Sequence, residues 1–352
     1  MSLNVVDPIN EKISMSNCLE NYDKDTFISP PWIDFHTHIY HGMTSFGLKP
    51  DDIGYKKGVH LLVDAGSAGV ETIEGFKQYI IPRYKTKIRA FLNISSIGLV
   101  TMREFNDFRN LNPYNTARCI LANKDILIGV KVRSSDTILE GRGLSPLKLA
   151  IEAAEIAGCP VMIHMGENPP SNEDNLKQLR KGDIISHCFH GKKEPLWLPE
   201  GLPIPALEDV LKHGIFLDVA HGAASFDIDI ARNAILNGYK DFIISTDLHL
   251  RNVNGPVFNL AQTMSKFYSL GMNLVDVIDC VTRKPAMILG LKGWCDDLTK
   301  NSTIFKIRDK TEQDLPFYDS SNKYIDVKKV IDPIAVIIDG EFIDISNNKG
   351  EI

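Results

Sequence analysis

The stretch "IDFHTHIYHG", residues 33–42, brings His36, His38 and His41 together directly after an apolar run. On an extended strand, side chains two residues apart lie on one face. The spacing of His36 and His38 therefore delivers two imidazoles to one point, the strand counterpart of the helical H-x-x-x-H zinc pair. Further groups able to join them stand at the ends of other apolar runs: Lys131 in "GVKVR", His164 in "VMIHMGE", His187 in "DIISHC" and Asp247 in "ISTDLH".

Something must carry these groups to one place. Eight short apolar runs end in polar residues: "WIDFHTH", "HLLVDAG", "IRAFLNISS", "ILIGVKVR", "CPVMIHMGE", "DIISHC", "IFLDVAHG" and "FIISTDLH". Near-continuous apolar character rich in Ile and Val suits parallel strands buried on both faces. Helical patterns lie between most of them. In "SPLKLAIEAAEIAG", Ser145 is placed to cap, Pro146 suits the first turn and Gly158 ends the helix. "IPALEDVLKHG" and "DIDIARNAILNG" repeat the design. Strands alternating with helices predict a (β/α)8 TIM barrel, and strand ends fall roughly 25–35 residues apart, as one β–α unit requires. In such a barrel the carboxyl ends of the strands form the active-site face.

Composition narrows the class. The chain has 352 residues, 43% hydrophobic and 24% charged, with a net charge of −6. That balance argues against nucleic-acid and anionic-membrane partners, which call for a basic surface. No run reaches the roughly 18 apolar residues of a membrane helix. The first thirty residues are polar and acidic, unlike a secretory signal. Cys18, Cys119, Cys159, Cys188, Cys280 and Cys295 are scattered with no C-x-x-C and read as reduced thiols of a cytoplasmic protein. A small-molecule substrate is expected, and self-association is left open.

The order H-x-H on the first strand, Lys on the fourth, His on the fifth and sixth and Asp on the eighth resembles the amidohydrolase superfamily. The resemblance spans about Pro31 to the end. "PWIDFHTH", "GVHLLVDAGSAG", "FLNISSIGL", "GVKVR", "ISHCFHGK", "ISTDLH" and "GPVFNLAQTMSK" are similar to a dihydroorotase-like amidohydrolase/deacetylase subfamily, with Pro31 where that subfamily has Gly. The resemblance implies two zinc ions bridged by a carboxylated lysine. His36, His38 and Asp247 would hold one, His164 and His187 the other, with carboxylated Lys131 between. A free ammonium would be repelled by a dication; carbon dioxide added to the neutral Lys131 amine gives an anion with an oxygen for each metal. Two such metals can share a hydroxide and lower its pKa, and Asp247 is placed to move the proton from it to the leaving group. The implied reaction is hydrolysis of an amide or ester of a small acyl compound. Hydrolysis of a cyclic amide, dihydroorotase-like, is the alternative, and a non-catalytic barrel scaffold is the other class.

Each residue has a plainer reading. A lone histidine is more often structural than ligating; what favours ligation is six groups in superfamily order. Lys131 could instead pair with Asp247. His60 and His213 read as surface or structural, and Cys188 should point away from the site. Tyr40, Arg133, His221 and His249 are candidates to touch substrate, against roles as a packed ring, an ion pair or lining of the mouth. Two departures from the family stand out. Tyr40 occupies the position where dihydroorotases often carry an Arg that holds a substrate carboxylate, which disfavours that reaction; Arg133 is a substitute anchor. The family also begins with several sandwich strands, whereas only about thirty residues precede the barrel here. The expected division is therefore 1–30 contributing to a β subdomain, 31–290 the barrel, and 291–352 a small, mostly C-terminal β-sandwich-like subdomain drawn from "STIFKIRDK" and "DVKKVIDPIAVIIDGEFIDIS".

Overall fold

The computed structural model describes residues 4–5 and 25–347. Cys18 and most of the segment before the barrel lie outside the described residues. Seven parallel strands run in sequential order around the larger sheet: β3 (Trp32–Thr37), β4 (Val59–Ala65), β5 (Lys87–Asn93), β6 (Leu127–Arg133), β7 (Val161–His164), β8 (Ile184–Ser186) and β9 (Phe216–Asp218). The eighth expected run, "FIISTDLH", is not a regular strand. It closes the ring through single parallel bridges, Asp218 to Ile243 on one side and Thr37 to Leu248 on the other. The reason is local: Asp247 has φ 52°, outside the extended region, so the ladder breaks at this residue.

Ile33, Phe35, Leu61, Val63, Phe91, Met162, Ile184 and Ile243 form one buried cluster. Side chains from strands that are not neighbours meet there, which is possible only inside the barrel. The alternate residues, such as Leu62, Val130, Val132, Ile163 and Ile185, pack outward with Leu147, Ala150, Leu207 and Ala231 of the helices. Helix Ser145–Ala157 begins with Ser145 as its first residue, Leu144 taking the cap position, and ends on Gly158 at φ 66°, a left-handed stop that glycine adopts without strain. Helix Ile228–Leu236 is capped by Asp227, whose side chain accepts from Asp229 N and Ile230 N. No helix among the described residues is long and apolar enough to cross a membrane.

The second sheet has the order β1-β2-β10-β11-β12, with β1 (Asn4–Val5), β2 (Thr26–Ser29), β10 (Ser302–Asp309), β11 (Lys329–Ile338) and β12 (Glu341–Asp344). β10 pairs antiparallel with both β11 and β2. The segment just before the barrel thus joins a strand nearly three hundred residues later. Phe305 packs on Trp32 and Phe27 at centroid distances of 5.5 and 5.6 Å, fastening this sheet to the start of β3. His60, expected to be surface or structural, is structural: it is buried and its Nε2 lies 3.0 Å from Ser302 O.

Candidate metal centre

The register of β3 against β4 shifts between Asp34 and Thr37. Ile33 and Phe35 fill the barrel interior below the shift. Past it, His36 also reaches the centre of the mouth, where Lys131 Nζ lies 3.4 Å from its Nε2. His36, His38 and Asp247 each bring a ligand atom to within 4.8 Å of the others. His38 Nε2 is 3.2 Å, and His36 Nε2 3.7 Å, from Asp247 Oδ1. The His164 and His187 rings meet edge to face at 4.4 Å, and His187 lies 5.4 Å from His36. All six groups expected at the centre therefore gather at one end of the barrel. His187 (φ 61°) and Asp247 (φ 52°) have left-handed backbones, an uncommon conformation for residues other than glycine that concentrates at functional sites.

Buried neighbours orient the rings. His36 Nδ1 is 2.9 Å from Asp218 Oδ2, and the other Asp218 oxygen accepts from Ser245 Oγ. His187 Nδ1 is 2.7 Å from Ala220 O; a carbonyl can only accept, so the ring proton sits on Nδ1 and Nε2 keeps its lone pair. His38 Nδ1 contacts Ser67 Oγ at 2.9 Å, and Ser67 N donates to Asp64 Oδ1 at 2.6 Å. Asp34 accepts from Thr246 N and Oγ1 at 3.1 and 2.5 Å, holding the chain just before Asp247 against β3.

The electrostatics follow from burial. Desolvation holds His36, His164 and His187 well below the ordinary imidazole range, so the rings are neutral, the form that binds metal. Burial pushes the Lys131 ammonium down to about 8. Burial acts to raise Asp247, but the hydrogen bond with His38 and the neighbouring imidazoles outweigh it and hold the carboxyl well below the usual range. Four imidazoles, a carboxylate and a lysine that readily loses its proton form a donor set that suits zinc. The plainer alternative, an ion pair of Lys131 with Asp247, is not the arrangement seen: the near basic partners of Asp247 are His36 and His38.

Three of the four expected substrate contacts have their polar atoms engaged within the protein. Tyr40 is buried, donates its hydroxyl to Thr72 O at 2.7 Å and packs on Phe76. Arg133 forms a two-pronged ion pair with buried Glu104 and donates to Met102 O. His221 is fully buried and bound to Lys266. His249 differs. It is half-buried, lies beside His38 and Phe46, and its Nδ1 accepts from Arg251 N at 3.1 Å, so its neutral ring carries an Nε2–H donor. Cys188, as expected, points into the apolar core.

Other residues at the mouth carried no signal in the sequence. Lys192 Nζ lies 3.4 Å from His164 Nε2 and 3.5 Å from Glu167 Oε1. His190 is buried beside Gly166 with no hydrogen-bond partner for Nε2 among the described residues. Two glycines are required by contact. A Cβ on Gly66 would stand 2.5 Å from Lys131 Cβ, and one on Gly222 would stand 2.7 Å from Asp247 Oδ2. Asp218 was visible at the end of the seventh run, and its position there could have marked it as a partner of the ligands.

Comparison with known proteins matches residues 27–293 to the amidohydrolase family. The chain is 37% identical over 328 residues to a deacetylase of Agrobacterium fabrum, covering 91% of this chain and 79% of that protein. It is 38% identical over 326 residues to a deacetylase of Brucella anthropi, covering 92% and 81%. Among solved structures it is similar to a dihydroorotase (TM-score 0.82, 38% identity, 90% of this chain and 84% of that one). It is also similar to an adenine deaminase (TM-score 0.86, 31% identity, 94% and 91%).

Proposed function

The chain belongs to the amidohydrolase family, and from that premise we propose that it is a zinc-dependent deacetylase that hydrolyses the amide or ester bond of a small, acyclic N-acyl or O-acyl compound. The observation that carries the proposal is the convergence of His36, His38 and Asp247 within 4.8 Å, with Lys131 against His36 and the His164–His187 pair beyond it. In this reading His36, His38 and Asp247 hold one metal, His164 and His187 the other, and carboxylated Lys131 lies between. Bound divalent metal lowers the pKa of water and polarises the acyl carbonyl.

The protein's own groups do the rest. Asp247 Oδ1 takes a proton from the attacking water and passes it to the departing nitrogen or oxygen as the C–N or C–O bond breaks. Water supplies the hydroxyl of the released acid and the proton of the released amine or alcohol, so the step balances. His249 presents its Nε2–H towards the mouth as a donor to the substrate. Asp218, Ser67 and the Ala220 carbonyl hold the rings at the angles ligation needs, as neighbours of metal-bound histidines commonly do.

The cyclic-amide alternative draws on the likeness to a dihydroorotase. Against it, Tyr40 stands at the family's carboxylate-binding arginine position, and Arg133 is neutralised by Glu104. The test is a screen of N-acyl amino acids, acyl esters and cyclic ureides with zinc-loaded protein, following release of amine, alcohol or acid. Acyclic acyl compounds should give the highest kcat/KM. Metal-loaded protein that turns over none of them would refute the proposal.

A further inference from the structure

The segment after β9 reaches the centre from outside the ligand set. Ala220 O fixes the tautomer of His187, and Gly222 lies against Asp247 Oδ2 so closely that a Cβ would clash. Its backbone is sewn to the eighth run by Val219 N to Ile243 O, His221 N to Ser245 O and Gly222 N to Thr246 O. Ala220 itself has φ 39°, a conformation that persists only where the surroundings enforce it.

What enforces it is buried and polar. His221 Nδ1 lies 2.9 Å from Gly222 O. A carbonyl only accepts, so Nδ1 carries the proton, and Nε2 of the neutral ring must accept. The donor is Lys266 Nζ at 2.8 Å, which also donates to Pro256 O at 2.9 Å. Lys266 belongs to helix Leu260–Ser269 and has no exposed surface. The His221 ring stacks on Phe226 at 4.4 Å. A second clasp comes from the chain between β10 and β11: Ser320 Oγ contacts His221 O and Gly222 O at 3.2 and 3.0 Å and accepts from Phe226 N.

We propose that Lys266, acting through His221 and aided by Ser320, is a positioning residue that clamps segment 219–222 and so sets His187 and Asp247 for metal binding and proton transfer. The proposal rests on the ligand assignment above. A plainly structural role fits less well. Burial pushes the Lys266 amine down to about 7, so the site holds a costly polar group where an apolar side chain of similar length would pack at no such cost. The amine is aimed at a ring whose other nitrogen holds Gly222 O, next to Asp247 Oδ2.

The test uses full-length, zinc-loaded protein carrying Lys266→Met, which keeps the length and removes the donor. The measurements are zinc release to a coloured chelator, the visible spectrum of the cobalt-substituted protein, kcat and KM with the best acyl compound of the wild type, and urea unfolding of the metal-free protein. Loss of a group supporting metal ligands typically costs 10–100-fold, and the indirect linkage sets the expectation at about 10-fold. Zinc release should be about 10-fold faster and kcat about 10-fold lower, with KM within about twofold, an altered cobalt spectrum, and unfolding of the metal-free protein no easier than in the wild type. Ser320→Ala, which removes one half-buried hydroxyl, should move the same quantities in the same direction, and serves alone if Lys266→Met does not fold. Wild type with normal metal, and folded variants with unchanged zinc release, spectrum and kcat, overturn the clamp while leaving the ligand assignment standing. A wild type that binds no metal overturns both.

Discussion

Removing the Asp218 carboxylate tests whether the His36 ring is held for ligation. Asp218 Oδ2 lies 2.9 Å from His36 Nδ1, and the other near partner of that nitrogen among the described residues is Ser186 Oγ at 3.3 Å. In Asp218→Ala a charge-assisted hydrogen bond of about 1.5–3 kcal/mol is replaced by a longer neutral one of about 1 kcal/mol. The net loss is about 0.5–2 kcal/mol, or about 2- to 30-fold in affinity at 1.4 kcal/mol per decade. Fold stability should not follow. Burial raises the Asp218 carboxyl above its ordinary range, so its ionised form is a cost to the metal-free fold that the alanine relieves. Zinc affinity by chelator competition, kcat/KM, and urea unfolding of the metal-free protein at pH 7 are the assays. The expected pattern is weaker zinc and slower turnover with an undiminished urea midpoint. Zinc affinity and kcat/KM both within twofold of wild type would refute the orienting role; a collapsed urea midpoint would mean that Asp218 serves the fold instead.

Asp247→Asn keeps the side-chain shape and removes the base, so kcat should fall by about 10²–10⁴-fold while metal content changes far less; near-normal turnover with full metal would move the proton-transfer role to His249. Dihydroorotate should be turned over negligibly compared with uncharged or aryl acyl compounds, because Tyr40 and Arg133 are occupied by Thr72 and Glu104; efficient hydrolysis would direct attention to Lys192 as the carboxylate anchor. Burial lowers His60 from 6.5 to about 3. The unfolded chain therefore binds the extra proton between those values, and the stability contributed by neutral His60 is full above pH 6.5 and lost as pH falls towards 3, at about 1.4 kcal/mol per pH unit. His60→Gln, which preserves a donor towards Ser302 O, should flatten the acid limb of the urea midpoint against pH, and an unchanged limb would exclude the histidine as its source.

The clustering of the six candidate ligands was legible because strand ends and side-chain parity are written in local sequence. Apolar runs stop where side chains enter the barrel mouth, and His36, His38, Lys131, His164, His187 and Asp247 all sit at such stops. The seven strands and the C-terminal sheet were legible for the same reason. The eighth strand was overread: "FIISTDLH" has the composition of a strand, but the left-handed Asp247 backbone breaks the ladder. The substrate contacts were least legible. Parity says which way a side chain leaves the backbone, not what it meets. Glu104, which occupies Arg133, comes from an irregular loop 29 residues earlier, and Lys266, which occupies His221, comes from a helix 45 residues later. Neither pairing leaves a periodic trace.

The most direct test of the central claim is the metal content of purified protein by elemental analysis, wild type beside Lys131→Ala. The wild type should carry close to two zinc ions per chain, since four histidines, an aspartate and a lysine carbamate are ligands enough for a pair. In Lys131→Ala metal and activity should be lost together, with part of the activity restored by short carboxylic acids in solution. Wild-type protein without bound metal after growth with zinc, or a Lys131→Ala protein with the full complement and a normal rate, would contradict the claim.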